Sequence, residues 1–278
     1  MKKILFLFIS LTLFSCKKTE LPTELRIKTA RYFRNDSLIG QTDYAYKLGT
    51  GLLETETSHL NFGTFYAKHT YTFLNDSIQV DEDTYNGTDT SSNMIMIYIS
   101  GTKHLVSGIT IVSKPFLIKT YERNYLYDGN DQLSQENYFT NKQVYDFSYT
   151  AGNLSSYKVL FPRLVFPFGT DTTQIDVTYI SKATQPGINF QPMVNTFNVP
   201  EIFAHSLNIE LCGATFNTTN NLIATNQYRT LGQMVSGGDP VTTYTYTFDN
   251  KGRIKTKSYK TENTIPSSTT YRIEYDYE

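Results

Sequence analysis

Residues 271–278 read YRIEYDYE, an unbroken alternation of large apolar and charged side chains. The same period of two appears in residues 244–248, YTYTF, and in residues 145–149, YDFSY. Successive side chains of a strand point to opposite faces of a sheet, so this alternation predicts strands with one packed and one solvated face. The pattern recurs from about residue 25 onward and therefore decides the fold class of most of the chain.

Five short segments repeat one order of residues: aromatic residues, then Asn, Asp or Gly, then an aliphatic residue. They are FRNDSL at 33–38, FLNDSI at 73–78, YLYDGNDQL at 125–133, FSYTAGNL at 147–154 and YTFDNKGRI at 246–254. Asn, Asp and Gly are the residues that form the tight turns of hairpins. Short turns require antiparallel pairing, so the repeats predict hairpins added one after another along one sheet.

The amino-acid composition also favours an all-β fold. The 278 residues include 22 Tyr and 18 Phe, no Trp, and only 18% charged residues. Aromatic side chains suit a pleated, half-buried surface, and the apolar content excludes disorder for most of the chain. The net charge of −1 gives no basic surface for nucleic acid. We expect an all-β protein with one large, twisted or rolled antiparallel sheet of successive hairpins.

One segment interrupts the alternation. Residues 183–200 carry three prolines, and residues 200–211 then place apolar side chains near helical spacing. Proline in the first turn and Gly213 beyond the last turn are typical helix boundaries. The sequence therefore predicts a short helix near 200–211 that covers one end of the sheet, with Cys212 packed beside it.

The N-terminus has the pattern of a secretion signal. Lys2 and Lys3 precede an apolar run over residues 4–14, which is followed by Ser15 and Cys16. As a helix this run would be about 16 Å long, too short for a bilayer core of about 30 Å. It therefore predicts a signal peptide and not a membrane-spanning helix.

The last residues of this signal, LFSC at 13–16, resemble the lipobox of bacterial lipoproteins. The resemblance implies that residues 1–15 are removed and that Cys16 carries acyl chains, which together anchor a protein stably to a membrane. Residues 16–23 would be a lipid-anchored linker and residues 24–278 a single antiparallel β-sheet domain. The residue after Cys16 is not the Asp that by analogy retains lipoproteins at the inner membrane, so outer-membrane sorting is favoured. Whether the domain faces the periplasm or the cell exterior stays open.

Residues 246–254 also resemble the YD repeat, in which Tyr-x-Tyr/Phe-Asp-x-x-Gly-Arg-Ile/Leu builds the hairpins of a long curling sheet. The other four segments keep the aromatic and turn residues but lack Gly-Arg. More broadly, the chain resembles uncharacterised lipoproteins of Bacteroidetes, with a signal peptide, a porin-like antiparallel sheet and one helical interruption. The resemblance implies a fold and carries no activity.

An outer-membrane barrel is an alternative fold, because strands near ten residues with many aromatics suit it. A lipobox is unusual in such barrels, and the chain ends on Glu278 and not on an aromatic residue. Many positions that would face lipid also carry charged side chains. These features favour a sheet outside the membrane.

An acidic, turn-like stretch is the one candidate cation site. It offers Asp81, Asp83, Asn86 and Asp89 as oxygen ligands of the kind that Ca²⁺ takes. An EF-hand loop has Gly at its sixth position, and Gly87 comes one place late. The alternative interpretation is a solvated loop after a strand.

Three short motifs resemble the Asp-Ser/Thr-apolar sequence of O-glycosylation in Bacteroidetes envelope proteins. They place acceptor hydroxyls at Ser37, Ser77 and Thr172. The first two fall on predicted exposed hairpin tips, where a glycan is tolerated. Alternatively, these residues only form the turns.

The residue types of common catalytic sites are dispersed along the chain. The four histidines, at positions 59, 69, 104 and 205, lack metal-ligand spacing and are expected on strand faces, in loops or on the helix. The sequence contains no Gly-x-Ser-x-Gly and no phosphate-binding glycine motif. Most predicted strands carry an Asp or Glu, so a pair of carboxylates on one sheet face stays open. We predict no metal site and no cofactor.

These observations favour a lipid-anchored envelope protein that acts as a non-catalytic binding or structural module at the outer membrane. Its partners would be the membrane, through the lipid anchor, and an envelope protein or glycan on the tyrosine-rich sheet. Nucleic acid is not expected. The alternative is an envelope polysaccharide hydrolase that uses carboxylates on the sheet face.

Overall fold

The computed structural model describes residues 25–60, 65–114, 116–139, 142–163, 169–183, 209–212, 214–217, 221–231, 240–262 and 269–278. Within these residues the chain forms sixteen β-strands and a 3-10 turn at Ile209–Cys212. The strands are β1 (Ile27–Arg34), β2 (Ser37–Tyr46), β3 (Leu53–Leu60), β4 (Phe65–Phe73), β5 (Ser77–Asn86), β6 (Asp89–Ser100), β7 (Leu105–Lys114), β8 (Ile118–Tyr127), β9 (Leu133–Tyr138), β10 (Gln143–Thr150), β11 (Asn153–Arg163), β12 (Gly169–Ala183), β13 (Asn221–Leu231), β14 (Val241–Phe248), β15 (Ile254–Glu262) and β16 (Thr270–Tyr277).

These strands form one closed antiparallel barrel. Each pairs with the strands before and after it in the chain, and β1 pairs with β16 to complete the circle. In that pairing Ala30 lies opposite Tyr275, and Arg31 Nη1 lies 2.8 Å from Asp276 Oδ2 on the outer wall. The predicted all-β sheet of successive hairpins is confirmed. The sheet is closed, which is more specific than the twisted or rolled sheet expected from the sequence.

The two faces of the alternation become the interior and the outer wall of the barrel. On β16, Ile273 and Tyr275 are buried, whereas Asp276 beside them is exposed. On β14 the threonines between Tyr244 and Phe248 are exposed, while these aromatic side chains pack against the core. The interior of the described barrel is therefore mainly apolar and aromatic, and its outer wall is mainly polar.

The barrel has two rims that differ in their connections. Hairpins from an odd to an even strand lie at the upper rim, and connections from an even to an odd strand lie at the lower rim with both chain ends. Four of the five repeated segments turn at the lower rim. Their aliphatic residues, Ile78, Leu133, Leu154 and Ile254, have no exposed surface. The aliphatic residue of each of these four repeats therefore fills the lower end of the barrel interior.

The fifth repeat, at residues 33–38, turns at the upper rim instead. Leu38, which corresponds in sequence to Ile78, is 39% exposed, and the next residue, Ile39, is buried in its place. A shift of one residue moves a side chain to the other face of a sheet. The two nearly identical hexapeptides therefore have different environments. The second residue of the strand after the turn faces outward in the first repeat and inward in the second.

Tyrosines near the lower rim tie adjacent strands together. In six hairpins a tyrosine hydroxyl of an even strand donates to a backbone carbonyl of the preceding odd strand. These pairs are Tyr46 with Ile27, Tyr127 with Val106, Tyr149 with Leu133, Tyr179 with Leu154, Tyr246 with Ile223 and Tyr277 with Ile254. The phenol groups are thereby satisfied where burial would otherwise carry a cost.

Part of the connection between β12 and β13 packs against this end of the interior. Leu211, Cys212 and Phe216 are buried, and the ring centroids of Phe216 and Tyr125 are 4.8 Å apart. Thr215 forms a parallel bridge with the start of β7. No helix among the described residues is long and apolar enough to cross a membrane.

The predicted helix near 200–211 is not seen in this segment. Residues 200–208 lie outside the described residues, and Ile209–Cys212 form only a 3-10 turn. Beyond this turn, Thr215 is held in a bridge with the start of β7. The Val106 N–H donates to the Thr215 carbonyl at 3.0 Å, and the Thr215 N–H donates to the His104 carbonyl at 3.1 Å. At Ile209–Leu211, the described end of the predicted helix, the backbone therefore forms a 3-10 turn and not an α-helix. Cys212 is buried, as expected.

Candidate functional site

A row of polar side chains crosses the barrel interior on β3, β4 and β5. Glu56, His69 and Glu82 lie directly opposite one another in the pairing of these strands. They are only 4%, 6% and 1% exposed. His69 Nε2 lies 3.1 Å from Glu82 Oε2, and His69 Nδ1 lies 4.0 Å from Glu56 Oε2. The imidazole is therefore held between two buried carboxylates.

Hydrogen bonds extend this row on both sides. The Tyr71 hydroxyl donates to Glu56 Oε2 at 3.0 Å. Asn93 Nδ2 donates to Glu82 Oε1 at 2.7 Å, and Ser113 Oγ donates to Asn93 Oδ1 at 3.1 Å. Buried charges are tolerated when such partners compensate them, so the row is a connected internal network.

Two opposing effects set the charge of His69. Burial by itself lowers the pKa of an imidazole, because it disfavours the charged form. The hydrogen bond to Glu82 and the negative charges of Glu56 and Glu82 outweigh burial, so the pKa of His69 is raised above its ordinary value. The imidazole and the two carboxylates therefore form a buried polar network inside the barrel.

A second polar site joins β8 and β9. Arg123 and Glu136 are 8% and 0% exposed, and Arg123 Nη1 forms a short ion pair with Glu136 Oε1. The guanidinium carbon lies 4.7 Å from the ring centroid of Tyr138. Tyr125 and Tyr145 lie opposite Glu136 on the two neighbouring strands. The pair is thus enclosed by aromatic side chains.

The carboxyl group of this pair titrates near neutrality. Burial raises the pKa of Glu136 to about 7, although the charge and hydrogen bond of Arg123 act in the opposite direction. Glu136 Oε2 is buried and accepts no hydrogen bond. A strongly shifted, enclosed carboxyl is a common feature of functional sites and also of structural ion pairs. The pH dependence of stability therefore tests whether this carboxyl changes its charge within the folded barrel.

The predicted calcium ligands do not form a loop. Asp81 and Asp83 occupy outward positions of β5, Asn86 ends that strand, and Asp89 begins β6. Asp81 Oδ1 accepts a hydrogen bond from Lys114 Nζ at 2.5 Å, which lowers the pKa of Asp81, and Asp83 accepts one from a serine of β6. Within the described residues, no three His, Cys, Asp or Glu side chains converge as a metal-ion site.

The candidate acceptors of O-glycosylation differ in accessibility. Ser37 is exposed at the start of β2, and Thr172 is half-buried within β12. Ser77 is only 5% exposed, and its hydroxyl lies 3.5 Å from Asp76 Oδ1, so it lacks the exposure expected of a hairpin tip. Modification stays a prediction for Ser37 and Thr172. Cys16 lies outside the described residues.

The interior charges were missed in the sequence because no motif marks them. A usable signal exists in the strand phase: His69 stands two residues before buried Tyr71, and Arg123 stands two residues before buried Tyr125. A charged residue in phase with apolar residues of a strand faces the core. Which charges then meet depends on the pairing register, which spacing within one strand does not specify.

The described strands thus define a class of protein: a closed, sixteen-strand antiparallel barrel with a mainly apolar interior and a mainly polar outer wall. A solved structure of a porin-like protein from Bacteroides uniformis is similar, with a TM-score of 0.58 and 13% identity over 92% of this chain and 99% of that chain. A porin-like protein from Bacteroides vulgatus gives 0.43 and 9% over 91% and 99%. The first likeness shows the barrel fold. No protein-family model matches the chain, and no curated protein is similar to it in sequence.

Proposed function

We propose that this protein is a non-catalytic binding or structural module of the bacterial cell envelope, held at the outer membrane by acyl chains on Cys16. The barrel itself would stand in water beside the membrane. The observation that carries this proposal is the polarity of the barrel wall.

A transmembrane barrel presents an apolar band about 25 Å tall to lipid and usually has a polar interior. This barrel has the opposite arrangement in its described strands. Outward positions at the β1–β16 seam carry Arg31, Glu274 and Asp276, joined by ion pairs of 2.8 and 3.9 Å, while Ile273 and Tyr275 fill the interior. Charges on a lipid-facing wall are costly, so water is the better environment for this surface.

The buried carboxylates support a non-catalytic role. Glu56, Glu82 and Glu136 are each no more than 4% exposed, and their partners are internal side chains. A polysaccharide hydrolase needs two carboxylates that reach a bound glycan chain. No observation in the described barrel favours that alternative.

The anchor is tested by metabolic labelling with an alkyne-bearing fatty acid and by fractionation of carbonate-washed membranes. The native chain should carry the label and stay with the membranes. Cys16→Ala should lose the label and appear in the soluble fraction, because a polar barrel wall does not hold the protein in a bilayer. Cys212→Ala is the matched control, since it removes the only other cysteine and should leave both results unchanged.

Two results would count against the proposal. Fatty-acid label that persists in Cys16→Ala would place the modification elsewhere. A Cys16→Ala chain that resists carbonate extraction would show that the barrel itself is integral to the membrane. A partner protein or glycan is sought separately, by mild cross-linking of the anchored chain in its native envelope and mass spectrometry of what is captured.

A further inference from the structure

The hairpin between β7 and β8 exposes three consecutive large apolar side chains at the upper rim. Phe116, Leu117 and Ile118 are 78%, 70% and 59% exposed. Single exposed apolar residues are ordinary on protein surfaces, whereas a contiguous exposed run marks a surface that meets an apolar partner. Other described turns carry at most one exposed large apolar residue, such as Leu48 or Leu74, and the Asn35-Asp36 turn carries none.

The backbone of this tip is unusual as well. Leu117 has a φ of 52°, in the left-handed region where a large aliphatic residue is rare. Other described residues with similar angles are mostly Asn and Asp, with Ala151, His104 and Lys142, so Leu117 is the one large aliphatic residue among them. Leu117 thus combines a backbone angle that disfavours a large aliphatic residue with a side chain that is 70% exposed, so its side chain contributes little to the barrel core.

The next hairpin at the same rim has a similar character. Phe139 is 51% exposed, and its backbone N–H donates to the Glu122 carbonyl at 3.1 Å, which places it beside β8. Lys142 is exposed in this hairpin. Lys119 lies next to the first tip and forms a 2.6 Å ion pair with Glu122. Apolar side chains with lysines at their edge are typical of surfaces that bind anionic bilayers.

We propose that Phe116, Leu117, Ile118 and Phe139 insert into the headgroup region of a lipid bilayer. The lysines beside them would lie at the level of anionic lipid phosphates. The barrel would then contact the membrane through its upper rim as well as through its anchor.

If Cys16 carries the proposed anchor, the chain between Cys16 and β1 is long enough to permit this contact. β1 begins at the lower rim, and its eight residues reach the upper rim. Eight residues span about 27 Å along a strand, and the tilt of barrel strands shortens their height. Arg26 is held at the lower rim by its hydrogen bond with Glu278, and the chain from Cys16 to Arg26 reaches up to about 34 Å when extended. The anchor and the upper rim can therefore occupy the same membrane.

Vesicle flotation tests this inference without the lipid anchor. The chain from residue 16 onward, carrying Cys16→Ala, is mixed with vesicles of phosphatidylethanolamine and phosphatidylglycerol; the strands that close the barrel all lie within it. We expect flotation that weakens about tenfold in Phe116→Ser/Ile118→Ser, because two apolar side chains no longer leave water. Leu48→Ser is the matched control: Leu48 is 99% exposed at the lower rim, and its loss should change nothing.

Leu117→Gly separates binding from folding. Glycine suits the left-handed turn, so this variant should melt at a higher temperature than the parent and still float less. A parent chain that does not float, an equal loss in Leu48→Ser, or a photo-cross-linker at position 116 that captures a protein and no lipid would overturn the proposal. An absence of acyl label on Cys16 in cells would refute only the lipid anchor, because flotation is measured on a chain that has no acyl group.

Discussion

Replacing Glu136 by Gln removes a titrating group from the barrel interior while preserving its size. Burial raises the pKa of Glu136 from 4.5 to about 7. Between these values the folded state binds more protons than the unfolded state, so the free energy of unfolding falls as the pH rises. The stabilisation that the neutral carboxyl provides is fully present below the pKa of Glu136 in the unfolded chain. It is lost as the pH rises through the pKa of Glu136 in the folded barrel.

The magnitude follows from the two pKa values. Ionising the enclosed carboxyl reduces the free energy of unfolding by about 3 kcal/mol between pH 4 and pH 8. Below pH 4 the protonated side chain resembles Gln, so the two proteins should be nearly equally stable. At pH 8 the Glu136→Gln barrel should be more stable than the native one by about 3 kcal/mol.

Urea unfolding at several pH values measures this difference. Subtracting the two curves removes the pH dependence of all other groups. Glu274→Gln is a suitable control, because Glu274 lies on the outer wall in ion pairs with Arg31 and Arg272, where screening keeps the effect below about 1 kcal/mol. A difference between native and Glu136→Gln barrels that is constant with pH, or that grows in favour of the native barrel above pH 7, would refute the reasoning.

Three further substitutions probe the rims and the interior. Leu154→Ala should reduce the free energy of unfolding by roughly 2–5 kcal/mol, whereas Leu38→Ala should change it by less than about 0.5 kcal/mol; equal losses in urea unfolding would contradict the opposite phases of the two repeats. Tyr127→Phe should cost about 1 kcal/mol, since the buried Val106 carbonyl loses its donor, and an unchanged unfolding midpoint would show that water replaces it. Leu117→Gly should stabilise the barrel by roughly 0.5–1 kcal/mol, and a lower melting temperature would mean that its turn is not strained.

The fold class could be predicted because it depends on local patterns of alternating side chains and turn residues. Alternation in residues 271–278 and the turn residues of residues 246–254 each specify a strand or hairpin without reference to the rest of the chain. Closure could not be predicted in this way. It depends on the pairing of β1 with β16, which lie more than two hundred residues apart in sequence. The charges at outward positions argued against a membrane barrel, but they contain no information on whether the sheet closes.

The interior site was beyond local reasoning for a related reason. His69 faces the core because of its phase in β4, which the sequence shows. Its contact with Glu56 and Glu82 requires the register of three strands, and register is set by turns and packing together. Residues 33–38 and 73–78 show the same limit of local reasoning. Their sequences are nearly identical, but Leu38 faces outward and the corresponding Ile78 faces the interior.

The seam between β1 and β16 brings the two ends of the described barrel together. The Glu278 N–H donates to the Arg26 carbonyl at 3.0 Å, so a short peptide could join the ends without disturbing the ladder. New ends could then be cut at the Asn35-Asp36 turn, which lies at the opposite rim. Such a circular permutant would keep every strand pairing of the described barrel and move the chain ends from one rim to the other. The order of strands around the barrel is therefore independent of where the chain is cut, whereas the rim that carries the chain ends is not.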